Sequence, residues 1–146
     1  MKTILGIDFG TTTTVVAKIS ETGEPEIIDL CKDGNGIIAT VLRLNDDREV
    51  VEWGNKAWDK YEDHPDSTFI EFKPELGSDK QYLYKSENKE YEISAEMLCE
   101  MFFKKIFQEL CLHFNTKNSL ESIIGSCIIG HPSSWDEKQR HLLEKM

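Results

Sequence analysis

Gly6-Ile7-Asp8-Phe9-Gly10-Thr11-Thr12-Thr13-Thr14 decides how the rest of the chain is read. Lys2 to Phe9 is a short apolar run that carries Asp8 near its end, and Thr11 to Ile19 is rich in β-branched residues. Such runs favour the pleated backbone, so the pattern predicts two strands joined by a tight turn at Gly10. The turn suits phosphate. Gly10 has no side chain to keep an anion from the backbone, and Thr11, Thr12 and Thr13 offer successive N–H groups and hydroxyls to phosphate oxygens. Asp8 at the strand end can hold a magnesium ion through its waters, because Mg²⁺ keeps much of its hydration and takes few carboxylates. The stretch matches neither the P-loop nor the dinucleotide fingerprint. An ordinary β-hairpin with a threonine-rich second strand fits the same spacing, and spacing alone leaves both readings open.

Outward from this motif, Glu26 to Leu30 reads as a third strand. Ile37 to Leu44 and Glu49 to Trp53 read as a hairpin across Asn45-Asp46-Asp47. Gly54 opens a short helix carrying Ala57, Trp58 and Tyr61, which ends before His64-Pro65 because proline disfavours the helical region for its predecessor. Asp66 to Gly77 has no clear period, and Lys80–Lys85 with Glu90–Ile93 form a polar, peripheral hairpin. Ser94 is an N-cap for a long amphipathic helix with Leu98, Phe102, Phe103, Ile106, Phe107, Leu110 and Phe114 at spacings of three and four. Ser122 to Ile129 has the nearly continuous apolar character of a strand buried on both faces. A last helix begins near Asp136, turns Leu142 and Leu143 inward and stops in mid-pattern at Met146, as expected for a piece of a longer protein.

Composition narrows the function. The 146 residues include 27 acidic and 17 basic side chains, a net charge of −10. That field repels nucleic acid and anionic membrane, so neither is an expected partner. No run approaches the roughly 20 apolar residues of a membrane span, and Asp8 interrupts any leader core, so a cytoplasmic location is expected. Cys31, Cys99, Cys111 and Cys127 lack metal-ligand spacing and read as packing thiols. His64, His113, His131 and His141 have no nucleophile motif nearby and read as surface or half-buried residues.

The nonapeptide resembles the first phosphate motif of the actin-like ATPase superfamily, and specifically the Ile-Asp-(Leu/Phe)-Gly-Thr-Thr opening of the heat shock protein 70 (DnaK-type) chaperones. Three further segments fall in the family's order. Gly54-Asn55-Lys56-Ala57 resembles its Gly-x-x-Ala helix start, and His64 to Gly77 resembles its Asn-Pro-x-x-Thr segment leading to Lys-Arg-x-x-Gly. Ile128 to Arg140 resembles its Val-Thr-Val-Pro-Ala-x-Phe-x-x-x-Gln-Arg. The resemblance implies an α/β, ribonuclease-H-like subdomain with a mixed sheet and flanking helices, about 1–35 and 116–146, and a small α+β peripheral subdomain, about 36–115. The chain would be the N-terminal part of the family's nucleotide-binding domain, with ATP or ADP and Mg as cofactors.

By the same resemblance, Asp8 sits near the magnesium, Thr11 and Thr12 contact the β- and γ-phosphates, and Gly10 and Thr13 complete the loop. Lys73 reaches the γ-phosphate and the attacking water, a suitable place for a positioned charge. Without the family context Lys73 reads as a solvated lysine in an acidic loop. Pro132 matches the proline that relays nucleotide state to the peptide-binding part, and by itself is simply a chain breaker between strand and helix. The full-length protein would act on unfolded polypeptide clients with co-chaperones. The fragment alone would lack the other wall of the cleft and would tend to self-associate through an exposed flank of its apolar strand.

Several positions depart from the family pattern. Thr13 replaces a tyrosine or asparagine, Pro74 an arginine, Gly36-Ile37-Ile38-Ala39-Thr40 an Arg-x-x-Pro-Ser, and Ser134-Trp135 a Tyr-Phe. They bear on coupling and co-chaperone contacts more than on nucleotide binding. Two other readings stand beside the chaperone ATPase: a sugar-kinase-like transferase on the same fold, and a non-catalytic scaffold that binds nucleotide or a partner protein.

Overall fold

The computed structural model describes residues 2–117 and 119–146. Its architecture is α/β, with a mixed sheet and several helices. Strand β1 (Thr3–Phe9) alternates as its sequence demands: Leu5, Ile7 and Phe9 are buried, while Ile4 and Asp8 face outward. It pairs antiparallel with β2 (Thr13–Ile19), in a register that sets Phe9 opposite Thr14 and Ile7 opposite Val16. Strand pairing starts at Thr13, so Thr11 and Thr12, predicted as strand, belong to the bend.

Along the outer side of β2, β3 (Pro25–Ile27) covers Ala17–Ile19 and β4 (Ile37–Ala39) covers Thr13–Val15, both antiparallel. Pairing of β3 stops at Ile27, although Ile28 and Leu30 remain buried.

The predicted strand Ile37–Leu44 is two strands in two sheets. β4 belongs with β2, whereas β5 (Leu42–Leu44) pairs with β6 (Val50–Trp53) and β7 (Thr68–Phe69) in a second sheet ordered β6-β5-β7. The break falls at Thr40 and Val41, where Val41 N–H turns back to the Ala39 carbonyl (2.9 Å) and Thr40 N–H is drawn to the carbonyl of Thr12 (2.9 Å). A bond to a residue 28 positions away therefore overrides the local β pattern.

Helix α1 (Gly54–Asp59) follows β6 directly. Gly54 adopts φ +61°, and a Cβ there would press on Cys31 Sγ and Ile38 Cγ2, both at 3.1 Å, so glycine is required by conformation and by space. The hairpin of β8 (Gln81–Lys85) and β9 (Glu90–Ser94) forms where predicted, but it is less peripheral than its polarity suggests, because Tyr84 and Ile93 are buried in the core. Helix α2 (Ala95–His113) is capped by Ser94, whose hydroxyl accepts from Met97 N–H at 3.2 Å. Its stripe of Leu98, Phe102, Phe103, Ile106 and Leu110 is buried. Phe102 and Phe103 meet the Phe9 ring at centroid distances of 5.9 and 4.8 Å, which ties the helix to the end of β1.

Strand β10 (Ile124–Gly130) runs parallel to β1, in a sheet ordered β10-β1-β2-β3. The sequence predicts burial of this strand on both faces, and the structure corrects that: Ser126 to Ile128 are exposed, Ile128 at 65%. Among the described residues β10 is the outermost strand of the sheet. Helix α3 (Glu137–Glu144) starts with a reciprocal cap, Asp136 accepting from Gln139 N–H (2.8 Å) and the Gln139 side chain accepting from Asp136 N–H (3.1 Å). Leu143 is buried and Leu142 packs at the core margin. No helix among the described residues is long and apolar enough to cross a membrane.

Candidate functional site

The parallel pair β1 and β10 places Asp8 opposite Gly130 at the carboxyl ends of both strands. Ligands of open α/β sheets gather at that edge, because loops leave there and helices begin there. Asp8 is exposed, and the absence of a side chain on Gly130, where a Cβ would come 4.0 Å from Asp8 Oδ1, keeps the flank of the carboxylate open.

From Asp8 the chain turns through Gly10, Thr11 and Thr12 into β2. Gly10 owes its identity to space and not to a left-handed φ: a Cβ there would overlap the Thr13 carbonyl oxygen and come within 3.3 Å of its carbon. Thr11, Thr12 and Thr13 are exposed, and Thr14 is buried. The three exposed threonines border a cleft of about 450 Å³ whose other walls include Val41, Trp58, Ile70 and Glu71. Glu71 adopts a left-handed φ of 51°, a conformation that costs a non-glycine residue on the order of 1 kcal/mol and turns the chain sharply ahead of Phe72 and Lys73.

Lys73 is not the solvated lysine that its acidic neighbourhood suggests. It begins a 3-10 turn over Lys73–Glu75 and is 6% exposed. Its ammonium donates to the carbonyl oxygen of Phe9, immediately before Gly10. The rings of Phe9 and Trp135 flank the charge, with Nζ 5.2 and 5.3 Å from their centroids. Burial pulls the Lys73 pKa below its ordinary value, and the Asp8 carboxylate, followed by the Cys99 sulfur, opposes that shift. Loss of water around an ammonium strengthens whatever anion it meets next.

Pro132 follows β10 and is exposed. Trp135, three residues on, makes the contact with Lys73. A turn bond from Trp135 N–H to the Pro132 carbonyl (3.1 Å) and a bond from Arg140 Nη1 to the Trp135 carbonyl (3.0 Å) hold this segment between β10 and α3. The structure thus brings Asp8, the Gly10–Thr13 loop, Lys73 and the Pro132–Trp135 segment to one end of the first sheet.

Gly54-Asn55-Lys56-Ala57 supports this end from below. Asn55 accepts from Ala39 N–H (2.8 Å) and donates to the Ile37 carbonyl (2.9 Å), fixing β4 on α1, while Ala57 is fully buried. Sequence reading missed Asn55, Thr40 and the role of Trp135. Thr40 and Trp135 stand at positions where the chain departs from the chaperone pattern, and that departure was the available signal. Asn55 carried none.

Among the described residues no group of three or more His, Cys, Asp or Glu side chains stands ready to hold a bare metal ion. A hydrated magnesium shared with phosphate makes a smaller demand, one open carboxylate beside an anion loop, and Asp8 with Thr11–Thr13 fits it. No family model matches the chain, and no curated protein matches it.

Proposed function

We propose that the chain is the N-terminal part of the nucleotide-binding domain of a DnaK-type chaperone on the ribonuclease-H-like, actin-like ATPase fold. In the full-length protein, ATP binding and hydrolysis would control the grip on unfolded polypeptides, with co-chaperones setting the pace. The observation that carries this reading is the bond from Lys73 to the Phe9 carbonyl. It joins residues 64 positions apart and sets a desolvated ammonium beside Asp8 and the threonine loop, with Trp135 over it.

In this reading the N–H and hydroxyl groups of Thr11–Thr13 receive the β- and γ-phosphates, and Gly10 lets them approach the backbone. Asp8 would help to hold a magnesium ion, which when bound would neutralise phosphate charge. Lys73 exchanges the Phe9 carbonyl for a γ-phosphate oxygen. Its charge, already stripped of water, then stabilises the phosphoryl group as the attacking water forms a P–O bond, the bond to ADP breaks, and the water's proton passes to the departing phosphate or to solvent. The side chains here supply charge, hydrogen bonds and alignment and form no covalent bond to the substrate.

The same bond favours one other reading. An ammonium committed to a backbone carbonyl can serve purely as a clamp between the 73–75 turn and β1, as in a scaffold that binds nucleotide without turning it over. Equilibrium binding of MgATP to the full-length native protein tests what the two readings share. Binding that Asp8→Ala and Thr12→Ala each weaken supports both. A native protein that does not bind MgATP overturns both.

A further inference from the structure

Thr40 is 1% exposed and makes three hydrogen bonds, two to the turn between β1 and β2 and one to Thr14 at the start of β2. Its Oγ1 donates to the Gly10 carbonyl at 3.0 Å. With that proton committed, the 2.9 Å contact between Thr40 Oγ1 and Thr14 Oγ1 has Thr14 as its donor. The Thr40 N–H donates to the Thr12 carbonyl at 2.9 Å. One residue therefore holds positions 10, 12 and 14 from a single side.

The consequence follows from peptide geometry. In a trans peptide the C=O of one residue and the N–H of the next point in opposite directions, and the chain has no cis bond among the described residues. Drawing the carbonyls of Gly10 and Thr12 toward Thr40 turns the N–H groups of Thr11 and Thr13 away from it. Those are two of the donors an anion needs. Thr40 is also where the chain leaves the first sheet for the second, so it ties the loop to the sheet β6-β5-β7, whose strand β7 leads into Lys73.

We propose that Thr40 is the positioning residue of the phosphate loop: its hydroxyl and amide hold Gly10–Thr14 in the form that presents the Thr11 and Thr13 amides. The inference rests on the nucleotide reading for its ligand but not for its geometry. The test compares Thr40→Val, which keeps shape and amide but loses the hydroxyl, with Thr40→Ser, which keeps the hydroxyl, in the full-length native protein below the melting temperature of every variant.

The expected result is a Kd for MgATP at least tenfold higher in Thr40→Val and within about twofold of native in Thr40→Ser. Amide hydrogen exchange across residues 10–14 should be faster in the first variant and unchanged in the second. A hydroxyl that only packs the core would lower the melting temperature and leave the Kd of the folded protein unchanged; that outcome, or equal weakening by both variants, overturns the proposal. If native protein binds no MgATP, the nucleotide reading fails separately, and exchange decides alone: faster exchange confined to Thr40→Val supports the loop-holding role, and unchanged exchange refutes it.

Discussion

Gly6→Ala and Gly10→Ala add the same methyl group to the same nine-residue motif, four positions apart, with opposite expected effects. At Gly10 the new Cβ would overlap the carbonyl oxygen of Thr13, a backbone atom that no rotamer change can move. The turn must open, and with it the pairing of Phe9 with Thr14 and the bond from Thr40 to the Gly10 carbonyl. Overpacking costs about 1–3 kcal/mol, and a backbone overlap belongs in the upper half of that range. At roughly 2–4 °C per kcal/mol for a chain of this size, the melting temperature should fall by about 4–12 °C. At Gly6 nothing lies within 4 Å of the added Cβ. Glycine in a strand interior costs about 0.5–1 kcal/mol relative to alanine, so Gly6→Ala should melt at or slightly above native. Thermal melts followed by circular dichroism compare the two directly. A Gly10→Ala protein that melts with native, or a Gly6→Ala protein that melts well below it, refutes the account of why this turn carries glycine.

Three further outcomes are expected from the packing and charge around this core. Phe102, fully buried against Phe9, Trp53 and Phe72, should cost about 3–5 kcal/mol on truncation to alanine, read from urea unfolding. Burial pushes the Glu52 carboxyl up, but hydrogen bonds from Lys60 and Arg43, at 2.9 and 2.6 Å, more than offset it, so its pKa lies below the ordinary glutamate value. A depressed folded-state pKa contributes stability that is present above the unfolded value and lost as pH falls through the folded one. Acid unfolding of native protein should therefore steepen below about pH 4.5, and Glu52→Gln should flatten that limb; identical acid limbs would contradict the assignment. Burial pushes the Cys99 thiol up to about 12, the Lys73 charge opposing, so Cys99 should resist iodoacetamide in the native state and react once the chain is unfolded. Mass mapping after brief alkylation checks this.

Helix α2 was legible because its cap and apolar stripe are local and repeat over five turns, leaving tertiary contacts little to add. The split of Ile37–Leu44 was not, since all eight positions tolerate a strand and the break is made by Thr40 bonding to Gly10, Thr12 and Thr14. Exposure of β10 escaped for a related reason: apolar composition records what a strand would accept on its faces, not what covers them. Within the site, Asp8 and the glycine-threonine turn could be read from side-chain chemistry alone. Lys73 could be chosen among the chain's many lysines only through its resemblance to a family motif. That it is buried depends on Phe9 and Trp135, 64 and 62 residues away, which no local pattern could reveal.

The most direct test of the central claim is single-turnover hydrolysis of MgATP by the full-length native protein beside its Lys73→Ala variant, with binding measured for both. Slow hydrolysis by native protein and loss of turnover in Lys73→Ala with binding retained are the expected results if the ammonium acts on the transferring phosphoryl group. Binding without any turnover in native protein would contradict that claim and leave Lys73 as a clamp in a non-catalytic scaffold; turnover unchanged in Lys73→Ala would contradict it and leave Lys73 with no part in the hydrolysis.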